Sequence, residues 1–389
     1  MRIGIEGQRL FRKKKHGMDM VALELIHHLQ EIDHTNEYVI YVSPDEDKMA
    51  LQSSRNFRIV ELKGGFYPLW EQMALPRAAK NDGCDILHCT SNTAPIDTAI
   101  PLVVTLHDII YMESSYLKIL RGSGSSYQKF GNVYRRIVVP RVVKKSSAII
   151  TVSQFEKSRI GEFFGIGDDP RLKAVYNGVG TNFKPITDST ELARVKALYS
   201  LPERFFFFLG NRDPKKNTKG TLQAYSDFIQ QTGSDICLVM LDYDRKELEK
   251  LLDQIGDPSL ISKIILTGYV KNTDLPAIYS QCTVFLYPSL RESFGIPLLE
   301  AMACGVPVVT SNTSSMPEVA GDAAYIIDPF NPEEITTAMV SLTGNKPLRD
   351  DLVKKGILQA ATFSWRLMAE NVLEIYSEIY DKSNVSLKL

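Results

Sequence analysis

Cysteine is sparse in this 389-residue chain: five residues, at 84, 89, 237, 282 and 304, with no Cys-x-x-Cys pair. That excludes a disulfide scaffold or a zinc ribbon, and most of the five sit in apolar company, as reduced core residues of a cytoplasmic protein do. No apolar run approaches the length of a membrane span, and the first residues lack the apolar core of a secretory signal. An excess of either charge is missing too: the formal net charge of −1 gives no global reason to expect nucleic acid as a partner. The Gly-x-Gly-x-x-Gly fingerprint is absent from the first strand–loop–helix unit, which argues against a nicotinamide-dependent dehydrogenase, and the Gly-x4-Gly-Lys-Ser/Thr spacing of a Walker loop is absent as well. Nor do His, Cys, Asp and Glu cluster with metal-ligand spacing, so no metal is expected.

What is present is an ordinary composition unevenly placed. Apolar residues make up 44% and charged residues 23%, and the length suits two domains better than one core. Residues 1–183 carry a formal +4 and the remainder −5. No acid occurs from Ser114 to Phe155, whereas Lys118, Arg121, Lys129, Arg135, Arg136, Arg141, Lys144 and Lys145 all do. With Arg12 to Lys15, this stretch makes one domain locally basic.

Short apolar runs alternate with helical stretches in two series. The first comprises 2–6, 38–42, 58–62, 85–89, 102–106, 148–152 and 173–176; the second comprises 205–209, 236–241, 264–266, 284–287, 308–310 and 325–327. Such alternation predicts an α/β protein with doubly wound parallel sheets. The turn-rich segment Asn177-Gly178-Val179-Gly180 through Pro185 is the expected boundary, giving domains 1–182 and 183–365. Leu367, Val372, Ile375, Tyr376 and Ile379 are spaced as on an amphipathic final helix.

The segment Arg291-Glu292-Ser293-Phe294-Gly295-Ile296-Pro297-Leu298-Leu299-Glu300 says most about chemistry. It follows a buried strand, Val284-Phe285-Leu286-Tyr287, and Pro297 suits the first helical position because its missing N–H has no helical partner there anyway. Glu292 then lies on the loop leaving a strand's carboxyl end and Glu300 about one turn into the helix. The amides near Gly295 and Ile296 form a helix N-terminus that attracts a phosphate. Leu209-Gly210-Asn211-Arg212-Asp213-Pro214-Lys215-Lys216-Asn217 adds a glycine turn and cations at another strand end, fitted to a pyrophosphate: Arg212 for a two-pronged contact, Lys216 as a point charge. His107-Asp108 ends the run Val103 to Leu106, with Asp108 able to fix the imidazole tautomer. Backbone groups at Tyr269-Val270 are placed to read a base edge, and Thr313-Ser314-Ser315 opens a short helix that either binds an anion or is simply N-capped. Gly17, at the entry to the first helix, permits close backbone approach. All of these fall at strand carboxyl ends, where open α/β sheets bind ligands.

Taken together, 266–329 closely resembles the retaining glycosyltransferases of family 4 (group 1), on Gly268-Tyr269-Val270, Pro288-Ser289, the Glu292-x7-Glu300 pattern with Phe294-Gly295 inside it, Cys304-Gly305-Val306-Pro307 and Met316-Pro317-Glu318-Val319. Lys216-Asn217, His107-Asp108 and Thr151-Val152-Ser153 are similar to that family too. The resemblance implies the GT-B architecture, two Rossmann-like doubly wound domains facing across a cleft, with the final helix, 366–389, packing back on the first domain. It implies that Glu300 holds the donor ribose, that Glu292 with the Phe294 and Gly295 amides holds the transferred sugar, and that Lys216 with Arg212 neutralises the diphosphate. By the same resemblance His107 meets the donor sugar and Gly17 lies under phosphates or sugar. The chain departs from the family's first loop, Gly-(Ile/Val)-Gly-Arg-Tyr, with Lys15-His16-Gly17-Met18-Asp19.

The expected function is transfer of a mannose- or glucose-type hexose from a nucleotide-diphosphate sugar, with retention and no metal cofactor, to a glycan or lipid-linked acceptor in cell-surface polysaccharide synthesis. An inactive sugar-nucleotide-binding homologue, or a glycoside hydrolase using Glu292 and Glu300, are the alternatives. The basic stretch 114–155 is read either as an ordinary solvated helix face or as a contact with a diphosphate-linked lipid acceptor or an anionic membrane, at the inner face of the plasma membrane.

Overall fold

Thirteen strands are present in the structure, a computed structural model that describes residues 1–113 and 126–386, and each coincides with one of the predicted apolar runs. β1 (Arg2–Glu6), β2 (Glu37–Val42), β3 (Phe57–Glu61), β4 (Ile86–Cys89), β5 (Leu102–Thr105), β6 (Ala148–Thr151) and β7 (Leu172–Ala174) form one parallel sheet in the order β3-β2-β1-β4-β5-β6-β7. β8 (Phe205–Phe208), β9 (Cys237–Met240), β10 (Ile264–Leu266), β11 (Val284–Tyr287), β12 (Val308–Ser311) and β13 (Tyr325–Ile327) form a second, in the order β10-β9-β8-β11-β12-β13. The chain divides into two compact units, Met1–Gly178 with Trp365–Leu389, and Val179–Ser364.

The second sheet shows why its strands are continuous apolar runs rather than alternating ones. Helices cover both faces of a parallel sheet, so β8, β11 and β12 are buried at every position, and exposure rises towards the outer strands β10 and β13. All four phenylalanines of β8 are inaccessible. Phe206 packs at 5.1 Å from Phe228 of the helix Thr218–Thr232, whereas Phe207 turns to the other face and meets Tyr279 at 5.2 Å.

In each sheet the strand order reverses once, between β1 and β4 in the first unit and between β8 and β11 in the second. The chain leaves neighbouring strands in opposite directions there, which opens a crevice at their carboxyl ends. Both crevices hold charged side chains.

The final helix, Trp365–Ser386, belongs to the first unit and packs along the helix Gly17–Ile32. Its inward face differs from the predicted one by one position. Leu367 is exposed, and Met368 and Ala369 are buried with Val372, Ile375, Tyr376 and Ile379. Periodicity alone does not fix the phase of a helix to better than one residue. Of the predicted basic stretch, Lys118 and Arg121 lie outside the described residues, and Arg135, Arg136, Arg141, Lys144 and Lys145 fall on the helix Ser126–Lys145.

Candidate active site

At the reversal point of the second sheet, the loop after β8 and the loop after β11 are joined by an ion pair. Lys216 Nζ donates to Glu292 Oε1 at 2.5 Å, with both side chains largely buried, and to the Tyr287 hydroxyl at 3.1 Å. The ammonium also lies 4.9 Å from the centre of the Tyr287 ring, a cation–π contact. Lys216 is delivered by a single 3₁₀ turn, Pro214–Lys216, whose N-cap Asp213 accepts from the Lys215 amide at 3.1 Å. Asn217 leaves that turn in the left-handed conformation, at φ 56°, and the Leu290 amide donates to the Lys215 carbonyl at 2.7 Å, tying the cationic loop to the acidic one.

The helix after β11 runs Ile296–Ala303, so Pro297 sits at its second position rather than its first. Gly295 caps it at φ 102°, a conformation reserved for glycine, and a Cβ there would run into Met316 Cε. The hydroxyl-rich segment 313–315 clamps this loop. Ser314 Oγ accepts from the Glu292 amide at 3.0 Å, and Ser315 Oγ reaches the Glu292 and Phe294 carbonyls at 3.1 and 3.0 Å. The Ser315 side chain is fully buried, and the helix it precedes, Met316–Ala320, has five residues.

Glu300 sits in a different environment from Glu292. Its Oε2 accepts from the Tyr279 hydroxyl at 3.1 Å. Burial pushes the Glu300 carboxyl up to about 7, and the Tyr279 hydrogen bond opposes that only in part. One carboxylate is therefore paired with a lysine, while the other lies beside a phenol with its pKa raised. Arg212 is exposed and lies 3.6 Å from Asp244 Oδ2. Val270 is buried in the loop after β10, next to exposed Tyr269.

In the first unit His107 is buried just beyond β5. Its Nε2 lies 2.9 Å from the Thr90 carbonyl, which only accepts, so Nε2 carries the proton and Nδ1 of the neutral ring is left as the acceptor. Burial holds its pKa below the usual histidine value. Thr90, rather than Asp108, thus selects the tautomer; an Asp108 oxygen accepts from the Ile110 amide at 3.2 Å. Gly17 opens the helix Gly17–Ile32, and nothing lies within 4 Å of where a Cβ would stand.

Two buried carboxylates near this edge escaped the sequence reading. Glu6 ends β1 at the reversal point and accepts from the Gln8 amide at 2.8 Å and from the Thr90 amide and hydroxyl at 3.3 Å. Burial raises its pKa. An acid closing the otherwise apolar run Ile3 to Ile5 was the available signal. Glu71, fully buried, accepts from the hydroxyls of Tyr67 (2.5 Å), Thr93 and Tyr134 and from Gln72. It lies in a π-helical turn, Trp70–Ala74, which no spacing rule announces. Among the described residues no group of three or more His, Cys, Asp and Glu is arranged to hold a metal, and no helix is long and apolar enough to cross a membrane.

Two Rossmann-like units in one chain, with charged groups at the reversal points of their parallel sheets, define the GT-B class. Residues 189–359 match the family described as glycosyl transferases group 1, and residues 16–183 match glycosyltransferase family 4. The chain belongs to this glycosyltransferase family. It is 32% identical over 228 residues, 59% of its length, to the O-antigen chain mannosyltransferase B of Escherichia coli, and 30% identical over 243 residues, 62% of its length, to the serotype-specific mannosyltransferase WbdA of the same organism. These matches span 60% and 30% of the two relatives. Among solved structures, Anabaena Alr3699/HepE in complex with UDP-glucose shares the fold with a TM-score of 0.71 at 16% identity, over 97% of this chain and all of that one.

Proposed function

We propose that the protein is a retaining hexosyltransferase that moves a mannose-type sugar from a nucleotide-diphosphate donor to a glycan or lipid-linked acceptor in cell-surface polysaccharide synthesis. The observation that carries this reading is the Lys216–Glu292 pair at the β8/β11 reversal point, beside the Gly295-capped helix end. The names of the mannosyltransferase relatives support the sugar class, and the UDP-glucose complex of a structural neighbour supports a nucleotide-sugar donor.

In this reaction the barrier lies in breaking the sugar–phosphate bond while the ring becomes oxocarbenium-like. Lys216 and the helix-end amides stabilise the departing diphosphate, and Arg212 adds a second cation from the same loop. A fixed donor aimed at developing charge is worth about 3–4 kcal/mol. Glu292, freed of part of its bond to Lys216 as the phosphate arrives, accepts from hydroxyls of the transferred sugar. Glu300 accepts from the ribose, and the Val270 backbone faces the base. The reaction is assigned no metal, the cationic loop filling that role.

Nucleotide sugars screened by thermal shift identify the donor, since a ligand at 100 times its Kd adds about 2.7 kcal/mol of stability. NMR of the product's anomeric proton then reads the stereochemistry. An inverted product overturns retention, and failure of every hexose nucleotide to stabilise the protein overturns the donor assignment. Lys216→Met is expected to lower turnover by roughly 10²–10³.

A further inference from the structure

Polar side chains crowd the loop that leaves β4. Thr90, Ser91, Asn92 and Thr93 follow one another there, and all four are buried. Consecutive buried polar side chains are costly unless they find partners, and an apolar loop would pack at lower cost. The Thr90 hydroxyl donates to the Glu6 carbonyl at 2.9 Å, and the Thr93 hydroxyl to the Glu71 carboxylate. Asn92 reaches the end of β5 instead.

Asn92 stands at φ 67°, and among the described residues it is the one buried non-glycine residue in the left-handed region. Asparagine and glycine adopt that conformation with least strain, so the turn by itself admits either. The hydrogen bonds distinguish them. The Asn92 amide donates to the Thr105 carbonyl at 3.0 Å, and Asn92 Oδ1 accepts from the His107 amide at 2.6 Å. β4 ends at Cys89, and beyond it Asn92 continues the ladder on that edge of β5 with a main-chain donor and a side-chain acceptor. The other edge is taken by β6, where the Leu106 amide donates to the Ile150 carbonyl at 2.8 Å. A glycine at 92 would keep the turn and the bond to Thr105 and lose the bond to His107.

His107 is thereby held at two points by residues two apart on one loop. The Thr90 carbonyl fixes its ring through Nε2, and Asn92 fixes the backbone from which the ring projects. The ring cannot swing without breaking a buried bond, so Nδ1 is kept in one place as an acceptor.

We propose that Asn92 is a positioning residue for His107, holding the imidazole where it meets the transferred sugar. Asn92 itself touches no substrate in this scheme, which rests on the reading of His107 as a contact of that sugar.

A double-mutant cycle with His107 tests it. In Asn92→Gly kcat should fall on the order of tenfold while donor KM changes by less than about threefold, since misplacing a group near the reacting bond costs rate more than ground-state binding. Asn92→Asp keeps both the turn and the acceptor and should recover most of that loss. In the His107→Ala background Asn92→Gly should cost nothing further, because no ring is left to position. Any lost buried bond lowers the melting temperature, so that measurement serves only to show that each variant is folded in the assay. Wild-type turnover in His107→Ala would sink the reading of His107 itself. With His107→Ala impaired, the positioning role alone is overturned by wild-type kcat in Asn92→Gly, by an Asn92→Asp no better than Asn92→Gly, or by the full loss repeated in the His107→Ala background.

Discussion

Glu292 and Glu300 are eight residues apart and chemically unlike. The spacing was legible in the sequence, and so was the nearness of a helix N-terminus. The pairing of Glu292 with Lys216 was not, because it joins loops 76 residues apart that meet only where the sheet order reverses. The raised pKa of Glu300 likewise depends on what surrounds it. An acid whose folded-state pKa lies near 7, above its unfolded value, contributes stability below pH 4.5 that is lost as pH rises through 7. Glu300→Gln should therefore raise the melting temperature at pH 8, by on the order of 1 kcal/mol in stability, with little effect at pH 4. The same substitution should weaken donor use by roughly ten- to a hundredfold, the worth of a charge-assisted bond. In the wild type the donor KM should fall as pH rises through 7, because only the carboxylate accepts from two ribose hydroxyls. A KM indifferent to pH across that range would remove Glu300 from the donor site.

Strand positions were readable throughout, since the inner parallel strands are largely buried on both faces and so appear as apolar runs, whereas the outer strands β3, β7 and β13 are partly exposed. Helix phase was less so, as the exchange of Leu367 for Met368 shows. The link between the helix Gly17–Ile32 and β2 depends on Asp33, the residue that ends the helix. Burial alone would raise this carboxyl. Bonds from the Tyr38 hydroxyl at 2.6 Å, Asn36 Nδ2 at 2.7 Å and the Thr35 amide at 2.9 Å overcome burial and hold it at about 2. A lowered pKa gives stability that is present above the unfolded value and lost as pH falls towards 2. Asp33→Asn should accordingly cost about 2 kcal/mol at pH 7 and almost nothing at pH 2, measured by urea unfolding. An equal loss at both pH values would assign the effect to packing instead.

The final helix, 365–386, fastens the two ends of the chain into one unit. His88, to which the sequence reading gave no role, is fully buried on β4, with Nδ1 2.6 Å from the Tyr376 hydroxyl and Nε2 2.8 Å from Thr105 Oγ1. Burial, aided by the neighbouring His107, depresses its pKa to about 3. The unfolded chain takes up this proton near pH 6.5 and the folded one does not, so stability falls as pH drops from 6.5 towards 3. Tyr376→Phe should lower the stability of the first unit by about 1–3 kcal/mol, through the buried ring nitrogen left unpaired. Hydrogen exchange should show faster opening in 365–386 and β4 while Val179–Ser364 is unchanged. Uniform acceleration in both units would contradict this division of the molecule.

The sequence by itself determined the two parallel sheets, the glycosyltransferase family and the acidic, cationic and glycine positions of the loops after β8 and β11. Those features are written in local runs and short spacings, which a chain expresses before it folds. Tertiary structure alone decided which charges meet. It placed Lys216 on Glu292, gave His107 its tautomer through Thr90, buried Glu6 and Glu71 at the first sheet's edge, and set Asn92 against the His107 amide. Each of these contacts links residues brought together by strand order and helix packing, and neither leaves a periodic trace along the chain.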